Sequence, residues 1–272
     1  MGISAAFMVP HPPLIVPEVG RGQEQTIQRT IDAYDTVAKK IGELRPDTIV
    51  LISPHQTMYA DYFHIAPGMQ AQGDFAQFRA ENVKIKVSYD TAFVQELCHK
   101  SRKAGLPAGT EDEIDRRLDH GTMVPLYFVN QYWTGYQLVS IGLSGLALRM
   151  HYELGECIQK TIKELDKNVV IIASGDLSHK LKADGPYGYA KEGPEYDRRI
   201  MEVMRKAAFL ELLSFSEDFC AKAGECGHRS FTMMAGALEA EATEKGTTVA
   251  ARQLSYEGPF GVGYGICSYE II

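Results

Sequence analysis

Three apolar segments of this chain each run into a histidine. "AAFMVPH" ends on His11, "TIVLISPH" on His55 and "VVIIASGDLSH" on His179. A fourth, His120, lies in "LDHGTMVPL", a polar turn ahead of an apolar run. Imidazole can ligate a divalent metal through a neutral nitrogen, or carry a proton near neutral pH. Two imidazoles and a carboxylate make a facial metal site with open positions. Histidines left over beside such a site can act as acids or bases. A lone strand-end histidine is more often a ring satisfied by backbone hydrogen bonds. Three at equivalent positions argue for a common purpose.

A third ligand is available in "CAKAGECGHRSFTMMAGALEA", where Glu225 and Cys226 are both chemically able to bind metal. "SFTMMAGALEA" has helix-compatible composition and "AGECGHR" forms its lead-in. Glu225 has a plain alternative, a solvent-facing charge favoured near a helix start. So does Cys226, as a small buried packing residue. His228, next to Arg229, could contact an anionic group on a substrate. The other histidines carry less: His64 in "YFHIAPG" reads as part of a surface strand, His99 beside Lys100 and Arg102 as solvated, and His151 as the start of a helix.

These residues need elements to carry them. Segment 3–9, "ISAAFMV", reads as a short buried strand stopped by "PHPP". "DTIVLIS" and "NVVIIAS" are apolar enough for burial on both faces, as in a parallel sheet. "VKIKVSY" alternates and is half-exposed, and "YQLVSIGL" is a further strand. Helical spacing appears over 24–44, over 90–106 with Asp90 as cap, over "MHYELGECIQKTIKEL", and across much of 194–240. "TVAARQLSY" and "GVGYGICSYEI" read as closing strands. Strands alternating with helices define an α/β class: one domain over 1–272, with a central mostly parallel or mixed β-sheet flanked by helices. In open sheets of this kind ligands bind beyond the carboxyl ends of the strands, where His11, His55 and His179 fall. The stretch 175–193, rich in Gly, Asp and Lys, is a long loop of the kind that often carries function.

Bulk properties narrow the class. The 272 residues are 45% hydrophobic and 23% charged, which supplies a sizeable core. A formal net charge of −7 without a basic run argues against nucleic acid and anionic membrane surfaces as partners. The start has no positive leader region, and no apolar run reaches membrane-span length. "MGISAA" has a loose likeness to a myristoylation start, but the apolar run behind it reads as a core strand. Five scattered cysteines without a CxxC pair fit a reducing cytoplasm. No HExxH-type hydrolase motif is present.

Five ordered pieces, "VPHPPLIVPEVG", "VLISPH", "LDHGTMVPL", "IIASGDLSH" and "GECGHRSFTMMAGAL", span residues 9 to 238. Together they resemble the class III extradiol ring-cleavage dioxygenases of the LigB type and the related Memo-type proteins. The resemblance implies His11 and His55 as metal ligands and Glu225 as the carboxylate ligand. It implies His179 as the acid/base and His120 as a histidine on the substrate side or just behind the ligands. Memo-type proteins have a cysteine in the matching region, so "ECG" leaves Cys226 as the alternative ligand. The implied cofactor is Fe(II), with Zn or Cu as alternatives. The implied substrates are a catechol-like or aminophenol-like aromatic ring and O₂, with Tyr187, Phe260 and Tyr264 as walls of an apolar slot. The alternative function is a Memo-type metal-binding protein with a redox, accessory or binding role. A homodimer, a separate small subunit or neither is compatible with the resemblance.

Overall fold

The computed structural model describes residues 1–111 and 117–272. The strands are β1 (Gly2–Val9), β2 (Thr48–Ser53), β3 (Phe63–His64), β4 (Gln70–Phe75), β5 (Ala80–Ser88), β6 (Ala108–Gly109), β7 (Gln137–Gly142), β8 (Asn168–Ser174), β9 (Val249–Glu257) and β10 (Tyr264–Ile271). The α-helices are α1 (Pro17–Gly20), α2 (Gln28–Leu44), α3 (Thr91–Lys103), α4 (His120–Val129), α5 (Leu148–Leu165), α6 (Glu192–Lys206), α7 (Glu217–Ala223) and α8 (His228–Lys245). A six-stranded sheet in the order β7-β2-β8-β1-β10-β9 forms the centre. The β7, β2, β8 and β1 strands are mutually parallel, and β10 and β9 add antiparallel at one edge. The sheet is therefore mixed, within the expected α/β class.

The central strands alternate their side chains between two apolar layers. Ala6 and Met8 of β1, Val50 and Ile52 of β2, and Ile171 and Ala173 of β8 face one layer. Phe7 and Val9, Ile49 and Leu51, and Val170 and Ile172 face the other. Burial on both sides explains why these strands read as continuous apolar runs. The parallel register, with Val9 opposite Ser174 and Ile52 opposite Ala173, sets three carboxyl ends level at one edge of the sheet.

Two further features hold that edge. The α5 and α8 helices cross at glycines: a Cβ on Gly155 would lie 2.0 Å from the Met233 carbonyl, and one on Gly236 would lie 2.0 Å from the Tyr152 carbonyl. Asp197 of α6, buried at 1% exposure, ties down the segment after β8. Its carboxylate accepts from the Ser178 N–H and from the Tyr256 hydroxyl, both at 2.8 Å.

Some local expectations are corrected. His64 lies on β3, paired with β6, and is buried rather than on a surface strand. The reason is the extra cover from the 63–66 segment lying along β7, with Ile65 bridged to Ile141. His120 is not in a turn: it opens α4, where the Asp119 side chain caps the helix by accepting from the Thr122 N–H. Asp90 caps α3 as expected, accepting from Phe93 N–H. Among the described residues, no helix is long and apolar enough to cross a membrane.

Gly236→Ala should destabilise the protein by about 2 kcal/mol, despite alanine's better helix preference, because the added methyl forces the two backbones apart. A lowered urea midpoint at unchanged slope is the measurement. Burial pushes the Asp197 carboxyl up to about 7. A folded-state value above the unfolded one favours the fold at low pH, and that contribution is lost as pH rises through about 7. Asp197→Asn should therefore gain stability relative to wild type, by ~3 kcal/mol between about pH 5 and about pH 8, in paired denaturant titrations.

Candidate metal centre

The imidazole of His11 is fixed two residues beyond β1. Its backbone N–H donates to Asp176 Oδ1 at 2.8 Å, and its ring Nδ1 lies 2.9 Å from Ser174 Oγ. The Ser174 hydroxyl in turn donates to the Gly121 carbonyl at 2.6 Å. That carbonyl is free because residue 125, four positions along α4, is a proline with no N–H to offer. A hydroxyl has one proton, so Ser174 can only accept from His11, and His11 Nδ1 must carry the hydrogen. Nε2 is left with its lone pair. It points to His55 Nε2 at 2.9 Å and to Cys226 Sγ at 3.6 Å. Burial, followed by the neighbouring histidines, holds His11 well below the usual histidine range. Burial lowers His55 as well. Both rings are thus neutral near pH 7, as ligation requires.

Cys226 reaches the same point because two backbones touch. A Cβ on Gly175, just past β8, would lie 2.1 Å from the Gly227 Cα. Only glycine permits that approach. It places Asp176 N 3.3 Å from Cys226 Sγ and lets Cys226 N–H donate to the Asp176 carbonyl at 3.3 Å. One potential ligand atom each from His11, His55 and Cys226 lie within 4.8 Å of one another. Glu225 is not among them. Its carboxylate turns to the start of α8 and accepts from the His228 N–H at 2.6 Å, neutralising a helix-end donor. Adjacent residues with opposite directions therefore split the two alternatives, and the thiol is the one brought to the histidines. Burial raises that thiol well above its ordinary value, with Asp176 and Glu225 adding to the effect.

His120 and His179 flank the three. The His120 ring lies 4.0 Å from that of His55 and 5.5 Å from that of His11. Burial, then His55, lowers it to about 4. His179 Nδ1 contacts the Gly224 carbonyl at 2.6 Å, so this nitrogen carries the hydrogen and Nε2 is an acceptor in the neutral ring. That Nε2 sits 4.0 Å from Asp176 Oδ2, and burial pushes the Asp176 carboxyl up to about 7. Tyr187, 60% exposed, stands edge-on to His179 with ring centroids 5.1 Å apart. Tyr264 is buried beneath the site, and burial then Asp176 raises its phenol. Phe260 is half-buried against the core.

His228 does not belong to this group. It is 1% exposed, with Nε2 on the Leu212 carbonyl at 2.9 Å and Nδ1 on the Tyr196 hydroxyl at 3.1 Å. Both ring nitrogens are engaged inside the protein, so contact with a substrate anion is ruled out by burial. Conversely, Ser174 and Asp176 belong to the site and were not singled out in the sequence. The available signal was the polar "SGD" that interrupts the run between β8 and His179.

Comparison with known proteins adds a family to this geometry. Residues 5–267 match the family model described as catalytic LigB subunit of aromatic ring-opening dioxygenase. A Clostridium acetobutylicum protein, CA_C1420, is 38% identical over 99% of this chain. The chain spans only 58% of that relative's length. The 2-aminophenol 1,6-dioxygenase beta subunit of a Pseudomonas species is 26% identical over 87% of this chain and 86% of its own. A MEMO1 family protein of Thermococcus onnurineus is 29% identical over 72% of this chain and 68% of its own. With the match running through the three strand ends that carry His11, His55 and His179, and through the start of α8, this chain belongs to the LigB family of aromatic ring-opening dioxygenase catalytic subunits.

Proposed function

We propose that the protein is a metal-dependent extradiol-type dioxygenase, holding Fe(II) on His11, His55 and Cys226 and opening a catechol-like or aminophenol-like ring with O₂. The observation that carries this reading is the meeting of two imidazole nitrogens and a thiol within 4.8 Å, with His120 and His179 close enough to act on them. The donor set fits a divalent ion: His11 presents a lone pair fixed by Ser174, and three donors leave positions open. When bound, the metal supplies a Lewis acid for the two ring heteroatoms and a redox partner for O₂.

The chain's own groups divide the remaining work. His179 Nε2, unprotonated because Nδ1–H is committed to Gly224, accepts a proton from a ring hydroxyl and returns it as the ring opens. Asp176, 4.0 Å from that nitrogen, stabilises the imidazolium so formed when its own carboxyl is ionised. His120, kept neutral by burial, offers an N–H to an oxygen-derived group. A reducing, cytoplasmic setting suits the reading, since all five cysteines are free and a thiol sits at the centre.

A second reading, a Memo-type metal protein without ring cleavage, is supported by one specific observation: the group lying beside the two imidazoles is a thiol. Thiolate prefers Zn or Cu(I) over a hard oxygen-ligated ion.

Metal titrations should separate the two residues at 225 and 226. Cys226→Ala is expected to weaken Fe(II) and Zn affinity at least about tenfold. Glu225→Ala should keep that affinity and lose about 1 kcal/mol of stability, as expected for a lost helix-end acceptor. The reverse pattern would restore the carboxylate as ligand. Oxygen consumption by the iron-loaded protein with a catechol and aminophenol panel tests the reaction. Wild type should consume O₂ with at least one compound, and His179→Gln should lower kcat by roughly 10² or more at unchanged iron affinity. Bound iron with no uptake on any compound would favour the second reading.

A further inference from the structure

The β4–β5 hairpin is a sheet of its own, outside the central six strands. At its tip a three-residue 3₁₀ turn, Ala76–Phe78, contains no buried residue. The hairpin's core anchor is Phe75, fully buried next to the turn. Phe78 is a different case. Its ring is half-buried and stands edge-on to His120, with centroids 5.5 Å apart and planes at 78°. The turn ends on Arg79 at φ 62°, a left-handed conformation that non-glycine residues disfavour. The guanidinium of Arg21 holds that residue's carbonyl at 3.0 Å. An aromatic side chain only partly covered by the core is thus held against His120 by a turn in a left-handed conformation and a tether from Arg21, just past α1.

Tyr187 presents an exposed ring to His179. Among the described residues, His120 and His179 each have a non-histidine aromatic neighbour, supplied by different segments. We infer that Phe78 is a specificity-determining residue: its ring forms the wall that receives the face or edge of the substrate's aromatic ring and limits the size of substituents on it. This rests on the reading that the centre binds a catechol-like ligand. An aromatic wall suits such a ligand because offset and edge-to-face contacts contribute beyond simple burial. Removing it opens space for a bulkier ring while leaving the three metal donors untouched.

The test is a bump-and-hole comparison on the Fe(II)-loaded protein under anaerobic conditions, titrated with catechol and with 4-tert-butylcatechol. Phe78→Ala should bind catechol about tenfold more weakly than wild type. It should bind 4-tert-butylcatechol at least as tightly as wild type does, at unchanged Fe(II) affinity. Phe78→Leu, which keeps the apolar anchor, should move discrimination the same way to a smaller degree, and it is the variant to read if Phe78→Ala does not fold. Unchanged discrimination between the two ligands, or loss of Fe(II) affinity in parallel with ligand affinity, overturns the inference and leaves Phe78 a packing residue. Wild-type protein that binds Fe(II) but neither catechol sinks the substrate reading itself, and the inference with it.

Discussion

The single proton of Ser174 organises this centre. It is given to the carbonyl of Gly121, which is available because Pro125 leaves the helical acceptor without its usual donor. The serine oxygen can then only receive, and His11 must turn its lone pair toward His55 and Cys226. A proline inside a helix normally weakens it. Here the unpaired carbonyl has a partner on β8, so the break in the helix and the orientation of the ligand are one arrangement. Helix, strand and loop are coupled by two hydrogen bonds.

Around that contact the fold solves a problem of convergence. The potential donors come from behind β1, behind β2 and from the lead-in to α8, regions far apart in sequence. Parallel register brings the first two level. The third depends on the direct backbone contact of Gly175 with Gly227, and on the tight α5–α8 crossing that keeps α8 against the sheet. Asp176 benefits from both: it receives the His11 amide, pairs with the Cys226 backbone and stays near His179. One buried carboxylate thus links His11 and Cys226 to His179.

Much of this was legible in the sequence, and for physical reasons. Strands buried on both faces announce themselves as apolar runs, and a polar residue ending such a run stands at the sheet edge where ligands gather. His11, His55 and His179 follow from that alone. The choice between Glu225 and Cys226 does not, because neighbouring side chains near a helix start diverge by the backbone angle between them, and both types are plausible in either direction. His120 carried a readable cue in Asp119 and Thr122, a cap and its partner, which a Gly and a Pro nearby disguised as a turn. His64 was misread because its cover comes from pairing with residues more than forty positions away. His228 looked available beside a charged neighbour, yet both of its nitrogens are spoken for by Tyr196 and Leu212.

The hairpin of β4 and β5 has its own ladder of backbone hydrogen bonds and meets the central sheet at its base, where Tyr89 bridges to Leu138 of β7. Changes at its tip therefore propagate little strain into the strands that carry the donors. Such an appendage can drift in sequence while the framework that brings His11, His55 and Cys226 together stays constant. Proteins built on this scaffold can diverge in what they accept by remodelling a peripheral finger, with no renegotiation of the interior.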